Sequence, residues 1–152
     1  MGGKKRKILV VDDEPTIIQS IHLLLEDKYE LLAASSGKSA VECVKTVDID
    51  IVILDYMLPG ETGLDILRMI KSTKPSIPVI LITAYGDEEV AINALRFGAK
   101  DYIKKPFNFQ DMLNRIEFYV SLRNEKEQRH VCFDNPLREK VKSPRCRVCF
   151  RS

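Results

Sequence analysis

No apolar run in this chain approaches the roughly 18 residues that a membrane-crossing helix needs, so the sequence predicts no membrane span. The start, MGGKKRKILVVDD, is basic but reaches two acids too soon for a signal peptide. Four cysteines without a secretory signal predict free thiols in a reducing, cytoplasmic compartment and not a disulfide framework. An excess of either charge is also missing: 24 Lys and Arg stand against 22 Asp and Glu, a net charge of +2. That balance argues against a wholly basic nucleic-acid binder and against an acidic disordered chain. There is no internal repeat.

What is present is enough apolar material for a core, 45% of 152 residues. The near-neutral total hides an asymmetry. Residues 1–7 carry four basic groups and no acids; residues 8–122 carry 11 basic and 18 acidic groups, net −7; residues 123–152 carry nine basic and four acidic, net +5. The chain therefore divides, by expectation, into a basic leader (1–6), a globular domain (7–122) and a basic tail (123–152). The tail should prolong the last helix through 122–128 and then turn irregular, because Pro136 and Pro144 block further helix.

Short apolar runs rich in β-branched residues lie at 7–11 (KILVV), 50–54 (DIVIL) and 77–83 (IPVILIT), as in strands buried on both faces of a parallel sheet. Weaker strand candidates lie at 29–34 and 101–104. Helical periods alternate with them. Ile17, Ile18, Ile21, Leu24 and Leu25 follow Pro15; Ala40, Val41 and Val44 follow Ser35-Ser36-Gly37; Leu64, Ile66, Leu67 and Ile70 form a third stripe. Val90, Ala91, Ala94 and Phe97 stop at Gly98, and Phe109, Met112, Leu113, Ile116 and Val120 form the fifth. Strict alternation predicts an α/β fold, a three-layer, doubly wound (βα)₅ parallel sheet.

In such sheets the site lies beyond the carboxyl ends of the strands. Those ends read Asp12-Asp13 then Glu14, Asp55, Thr83 then Ala84, and Lys104-Lys105 then Pro106. Three carboxylates, a hydroxyl and an ammonium group should converge. Crowded carboxylates repel, and Mg²⁺, a hard cation that keeps several waters and bridges to phosphate, relieves the repulsion. A carboxylate can also accept a phosphoryl group as an acyl phosphate, whose transfer needs the metal, a lysine charge and hydroxyl or amide donors. Helix capping alone would account for single acids after strands, but not for the whole set.

The motifs ILVVDDE (8–14), DIVILDYMLPGETG (50–63), VILITAYG (79–86) and GAKDYIKKPF (98–107) resemble the response-regulator receiver domain of two-component signalling, over about residues 6–122. The resemblance implies a flavodoxin-like sheet, strand order 2-1-3-4-5, and a phosphoprotein that takes a phosphoryl group from a histidine kinase or phosphotransfer protein. It implies Asp55 as acceptor; Asp13, Asp55 and the Met57 carbonyl as ligands of Mg²⁺ (or Mn²⁺); and Asp12 acting through metal-bound water. Lys105, before a cis Pro106, would pair with Asp55 or its phosphate. Thr83 would bond the phosphate and Tyr102 would switch rotamer. Pro59, Gly60 and Gly63 would shape the loop after the acceptor. The partners implied are the kinase and a downstream target or output domain, with no membrane and no nucleic acid contacted by this domain. No catalytic turnover beyond the domain's own phosphorylation and dephosphorylation is expected.

Alternation alone leaves Lys104 and Lys105 at even odds. Met57 and Tyr85 lie two positions after Asp55 and Thr83 and should flank the phosphoryl group. Ile92, Arg96, Asp101, Lys104 and Arg115 should form a charge-mixed output face, with Asp101 and Arg115 free to pair across a homodimer axis. His22 is expected on the surface, far from the strand ends, and Cys43 in the core. Two other functions compete. A phosphohydrolase of the haloacid-dehalogenase type would need an acid two residues after Asp55, where Met57 stands. A zinc or nucleic-acid module would use His130, Cys132, Cys146 and Cys149 of the basic tail, at a spacing that matches no known finger.

Overall fold

A computed structural model of the chain describes residues 5–84 and 88–133, the last ten as helical backbone. The elements run β1 (Arg6–Val11), α1 (Pro15–Leu25), β2 (Tyr29–Ala34), α2 (Gly37–Thr46), β3 (Ile51–Asp55), β4 (Met57–Leu58), β5 (Glu61–Thr62), α3 (Gly63–Thr73), β6 (Val79–Thr83), α4 (Glu88–Arg96), β7 (Asp101–Lys104) and α5 (Phe109–Phe133). The main sheet is parallel, in the order β2-β1-β3-β6-β7. Setting aside the small antiparallel ribbon β4-β5, this is the expected 2-1-3-4-5.

The β-branched runs became strands because both their faces are covered. Ile8 to Val11, Ile51 to Leu54 and Val79 to Ile82 are all at most 3% exposed. Alternate residues serve opposite layers. Leu9, Val11, Val52, Leu54, Val79 and Leu81 join Ala40 and Val44 of α2, Ile66, Leu67 and Ile70 of α3, and Ala94 of α4 in one cluster. Cys43 packs against that cluster, half-buried. The other alternate set, Ile8, Val10, Ile53, Ile80, Ile82 and Ile103, is also buried and lies outside it. It serves the opposite layer, with Ile21 and Leu25 of α1 and Met112 and Ile116 of α5.

Helix starts follow local chemistry. Pro15 opens α1. Ser36 and Ser39 form a reciprocal capping box at α2. Thr62 accepts from the Asp65 amide at α3, and Asn108 accepts from the amides of Gln110 and Asp111 at α5. At the opposite end of the sheet the buried Asp50 carboxylate accepts from Arg6 at 3.1 Å and the Lys7 amide at 2.8 Å, pinning the approach to β3 onto β1.

The chain divides into two units, Met1–Ile116 and Glu117–Ser152, the division falling inside α5. That helix continues to Phe133, further than the sequence reading placed its end; the next proline after its start is Pro136. Tyr85 and the tail residues Cys146 and Cys149 lie outside the described residues, and His130 and Cys132 are described as backbone only.

Burial separates two leucines cleanly. Leu67 is fully buried and Leu23 is 65% exposed. Urea unfolding should therefore show Leu67→Ala losing about 2–5 kcal/mol, and Leu23→Ala staying within about 0.5 kcal/mol of the wild type. Equal losses would contradict the packing described.

Candidate functional site

Parallel pairing brings the carboxyl ends of β1, β3, β6 and β7 to one edge. Asp12 extends β1, its amide donating to the Ala34 carbonyl at 3.0 Å. Asp55 ends β3 and Thr83 ends β6, in strands paired Asp55 with Ile82 and Thr83 with Lys104. The carboxylates of Asp12, Asp13 and Asp55 offer oxygens all within 4.8 Å of one another, Asp12 and Asp55 buried and Asp13 exposed. The Lys105 ammonium lies 3.3 Å from Asp55 Oδ1, and the Lys105 amide donates to the Thr83 carbonyl at 2.7 Å. The structure thus settles the choice between two lysines: Lys104 is exposed and Lys105 is turned inward. The Lys105-Pro106 peptide is cis, as the resemblance implied.

Thr83 is fully buried. Tyr102 is half-buried and packs against the cluster beneath α2 to α4. Leu81 pairs with Tyr102 and Thr83 with Lys104, so Tyr102 shares a sheet face with Thr83, one strand over and two residues back. After Asp55 the chain turns through β4 and β5, with Pro59 and Gly60 (φ +80°) at the tip. A Cβ on Gly63 would sit 2.7 Å from the Asp55 carbonyl and the Tyr56 Cα, so only glycine lets α3 start this close to the acceptor strand.

Electrostatics follow from burial. Asp12 is pushed up to about 6, chiefly because its carboxylate is buried and secondarily because Asp55 repels it, against the Glu14 amide that donates to it at 2.9 Å. Burial likewise raises Asp55 above the usual carboxylate range, and Asp13 adds to the rise. The Lys105 charge and, less strongly, the Met57 amide oppose it. One lysine beside three crowded carboxylates leaves negative charge in excess. An all-oxygen donor set with two buried, uneasy carboxylates suits a hard divalent cation such as Mg²⁺.

Further residues named from the sequence have these surroundings. His22 is half-exposed and 3.4 Å from Glu26, but it lines a mostly apolar cleft of about 460 Å³ between α1 and β2 that also contains Asp12 and Asp13. It lies two turns along α1 from Pro15, and its half-exposed position agrees with the surface placement expected for it. Arg115 and Asp101 pair within the chain at 2.7 Å, with Asp111 also on the guanidinium at 3.1 Å. Sequence reasoning missed Glu61, whose carboxylate accepts from the Gly37 amide at 2.8 Å. No local signal links positions so far apart.

The carboxyl shifts fix a pH dependence. A group raised in the folded state binds protons there before it does in the unfolded chain. Its contribution favours folding at acidic pH and is lost as pH rises from about 4 through about 6. In a chelator, Asp12→Asn should flatten that loss and stabilise the chain at pH 7.5 by about 1–3 kcal/mol. Urea unfolding with an unchanged pH slope would contradict this.

Comparison with known proteins agrees with this geometry. Residues 8–117 match the family model of the response regulator receiver domain. The chain is 40% identical over 110 residues to the response regulator SaeR of Staphylococcus aureus, covering 72% of this chain and 48% of SaeR. It is 36% identical over 115 residues to the probable transcriptional regulatory protein TcrX of Mycobacterium tuberculosis, covering 75% and 49%. It spans about half the length of these curated relatives. A CheY-like receiver domain from Methanospirillum hungatei superimposes with a TM-score of 0.77 at 27% identity, over 81% of this chain and 99% of that one. With the acidic cluster, the facing lysine and the strand order on the same edge, the chain belongs to the response regulator receiver domain family.

Proposed function

We propose that Asp55 accepts a phosphoryl group from a phosphohistidine of a sensor kinase or phosphotransfer protein. The observation that carries this is the convergence of Asp12, Asp13 and Asp55 within 4.8 Å, with Lys105 on Asp55. An Asp55 carboxylate oxygen forms the new bond to phosphorus, the phosphorus–nitrogen bond of the donor breaks, and the electron pair and a proton go to the imidazole. Asp13, Asp55 and the Met57 carbonyl would hold Mg²⁺ (or Mn²⁺), with Asp12 reaching it through water; when bound, the metal offsets charge on the phosphoryl oxygens. Lys105 supplies the fixed positive charge that Asp55 already uses. Thr83 would donate to a phosphate oxygen. Tyr102, on the same sheet face, would follow Thr83 inward.

The cleft between α1 and β2, with Asp12 and Asp13 at its wall, gives a donor protein an apolar landing beside the acids. On the output side, Ile92 and Leu95 of α4 are 48% and 53% exposed, an apolar addition to the charge-mixed face around Arg96 and Lys104. A downstream target, an output domain or a second copy would bind there. Because Arg115 and Asp101 already satisfy each other, pairing across a dimer axis requires them to exchange partners. No helix among the described residues is long and apolar enough to cross a membrane, and the reading places the protein in the cytoplasm with its phosphodonor. It turns over no substrate beyond its own phosphoryl group. The phosphohydrolase alternative fares worse, because position 57 is a methionine in β4 and not an acid.

Acetyl phosphate with Mg²⁺ should label Asp55 alone, detected by mass spectrometry. Asp55→Asn should abolish the label, and Asp13→Ala should abolish measurable Mg²⁺ binding because a direct ligand is lost. An acyl phosphate elsewhere, or one undiminished in Asp55→Asn, would refute the assignment.

A further inference from the structure

The ribbon that follows Asp55 has only two residues in each strand, Met57 paired with Thr62 and Leu58 with Glu61. So short a pair does not hold itself together in water. Its tip is unpacked: a Cβ on Gly60 would meet nothing within 4 Å. Yet its first residue matters to Asp55, two positions earlier, because the Met57 amide opposes the rise of the Asp55 carboxyl. Something must hold the ribbon in place.

Two anchors do. Leu58 is 5% exposed and seats β4 in the core. On the facing strand, Glu61 reaches 24 residues back along the chain, and its carboxylate accepts from the Gly37 amide at the start of α2 at 2.8 Å. The Gly37 amide is one of the first-turn amides of α2 that have no partner inside the helix, and Glu61 supplies one. Ser36 Oγ already accepts from the Ser39 amide, and Ser39 Oγ from the Ser36 amide. The capping box leaves the Gly37 amide open, so the Glu61 bond serves the helix end and the ribbon together. Position 37 is fitted to it: a Cβ there would lie 2.5 Å from Glu61 Oε1 and 2.8 Å from Met69 Cε, so a larger residue pushes the Glu61 carboxylate off.

We propose that Glu61 is a positioning residue for phosphoryl acceptance. By tying β5 to the Gly37 amide it holds the ribbon so that Met57 meets the Asp55 carboxylate through its amide and keeps its carbonyl available to a divalent cation. This rests on the reading of Asp55 as acceptor. Glu61 touches neither phosphoryl group nor metal; it acts through Met57.

The test uses the full chain as wild type, Glu61→Ala, Glu61→Gln and Gly37→Ala. Four quantities are read: Mg²⁺ affinity by calorimetry, the rate of Asp55 labelling by acetyl phosphate, hydrogen-exchange protection of the Met57 amide, and Tm. Glu61→Ala and Gly37→Ala should each weaken Mg²⁺ binding and slow labelling by about three- to tenfold. Both should lose Met57 protection while the chain remains folded at the assay temperature. Glu61→Gln, which keeps an acceptor oxygen, should recover most of the loss. Wild-type affinity and rate in Glu61→Ala, with or without a fall in Tm, would overturn the proposal. So would a Gln variant as impaired as Ala, since charge and not the bond would then be responsible. A wild-type chain that neither binds Mg²⁺ nor labels at Asp55 would overturn the function proposed above, and this inference with it.

Discussion

Three carboxylates share a space of 4.8 Å at the end of a sheet that is apolar on both faces. Nearly everything functional in this chain depends on that crowding. The sheet buries Asp12 and Asp55 because β1 and β3 are its inner strands, flanked by β2 and β6. Burial makes each charge costly, and proximity compounds the cost. Lys105 offsets part of it and a divalent cation would offset more. The site is left short of positive charge, the condition on which the proposed metal and phosphoryl binding rests.

The same geometry explains why the acceptor loop is built as it is. As the proposed nucleophile Asp55 would have to stay ionised, yet burial raises it. Lys105, in the loop after β7, and the Met57 amide, in the ribbon after β3, oppose the rise. Gly63 lets α3 begin against the acceptor strand, and Glu61 fastens the ribbon to α2. Asp55 and the ribbon after it are therefore held by parts of the chain distant in sequence, α2, α3 and the loop after β7 among them.

The output side is quieter. The Arg115 guanidinium is occupied by Asp101 and Asp111 within the chain, while Ile92 and Leu95 stand exposed on α4. Any partner on this face gains apolar area first and ion pairs only by exchange, so surface charge should steer binding more than it strengthens it.

Much of the fold was legible in the residues. Runs such as ILVV and VILI have no alternation, which only a sheet covered on both faces accommodates, and the 3.6-residue stripes between them left one architecture. The polar residues at strand ends then named the site before any coordinate did, because parallel strands bring like ends together. Other features needed tertiary structure. Alternation could not choose between Lys104 and Lys105; the register of β7 against β6 did. That the cleft between α1 and β2 runs from His22 to Asp12 and Asp13 was likewise a matter of packing. The two-residue ribbon β4-β5 is too short to leave a period, and the Glu61 bond to Gly37 joins positions with no local relation. Sequence by itself determined which residues lie in strands, in helices and at strand ends, because those follow from local pattern and burial. Which side chains touch, how far each carboxylate is raised and what braces the acceptor loop were decided only by packing, because those depend on distances between segments far apart in the chain.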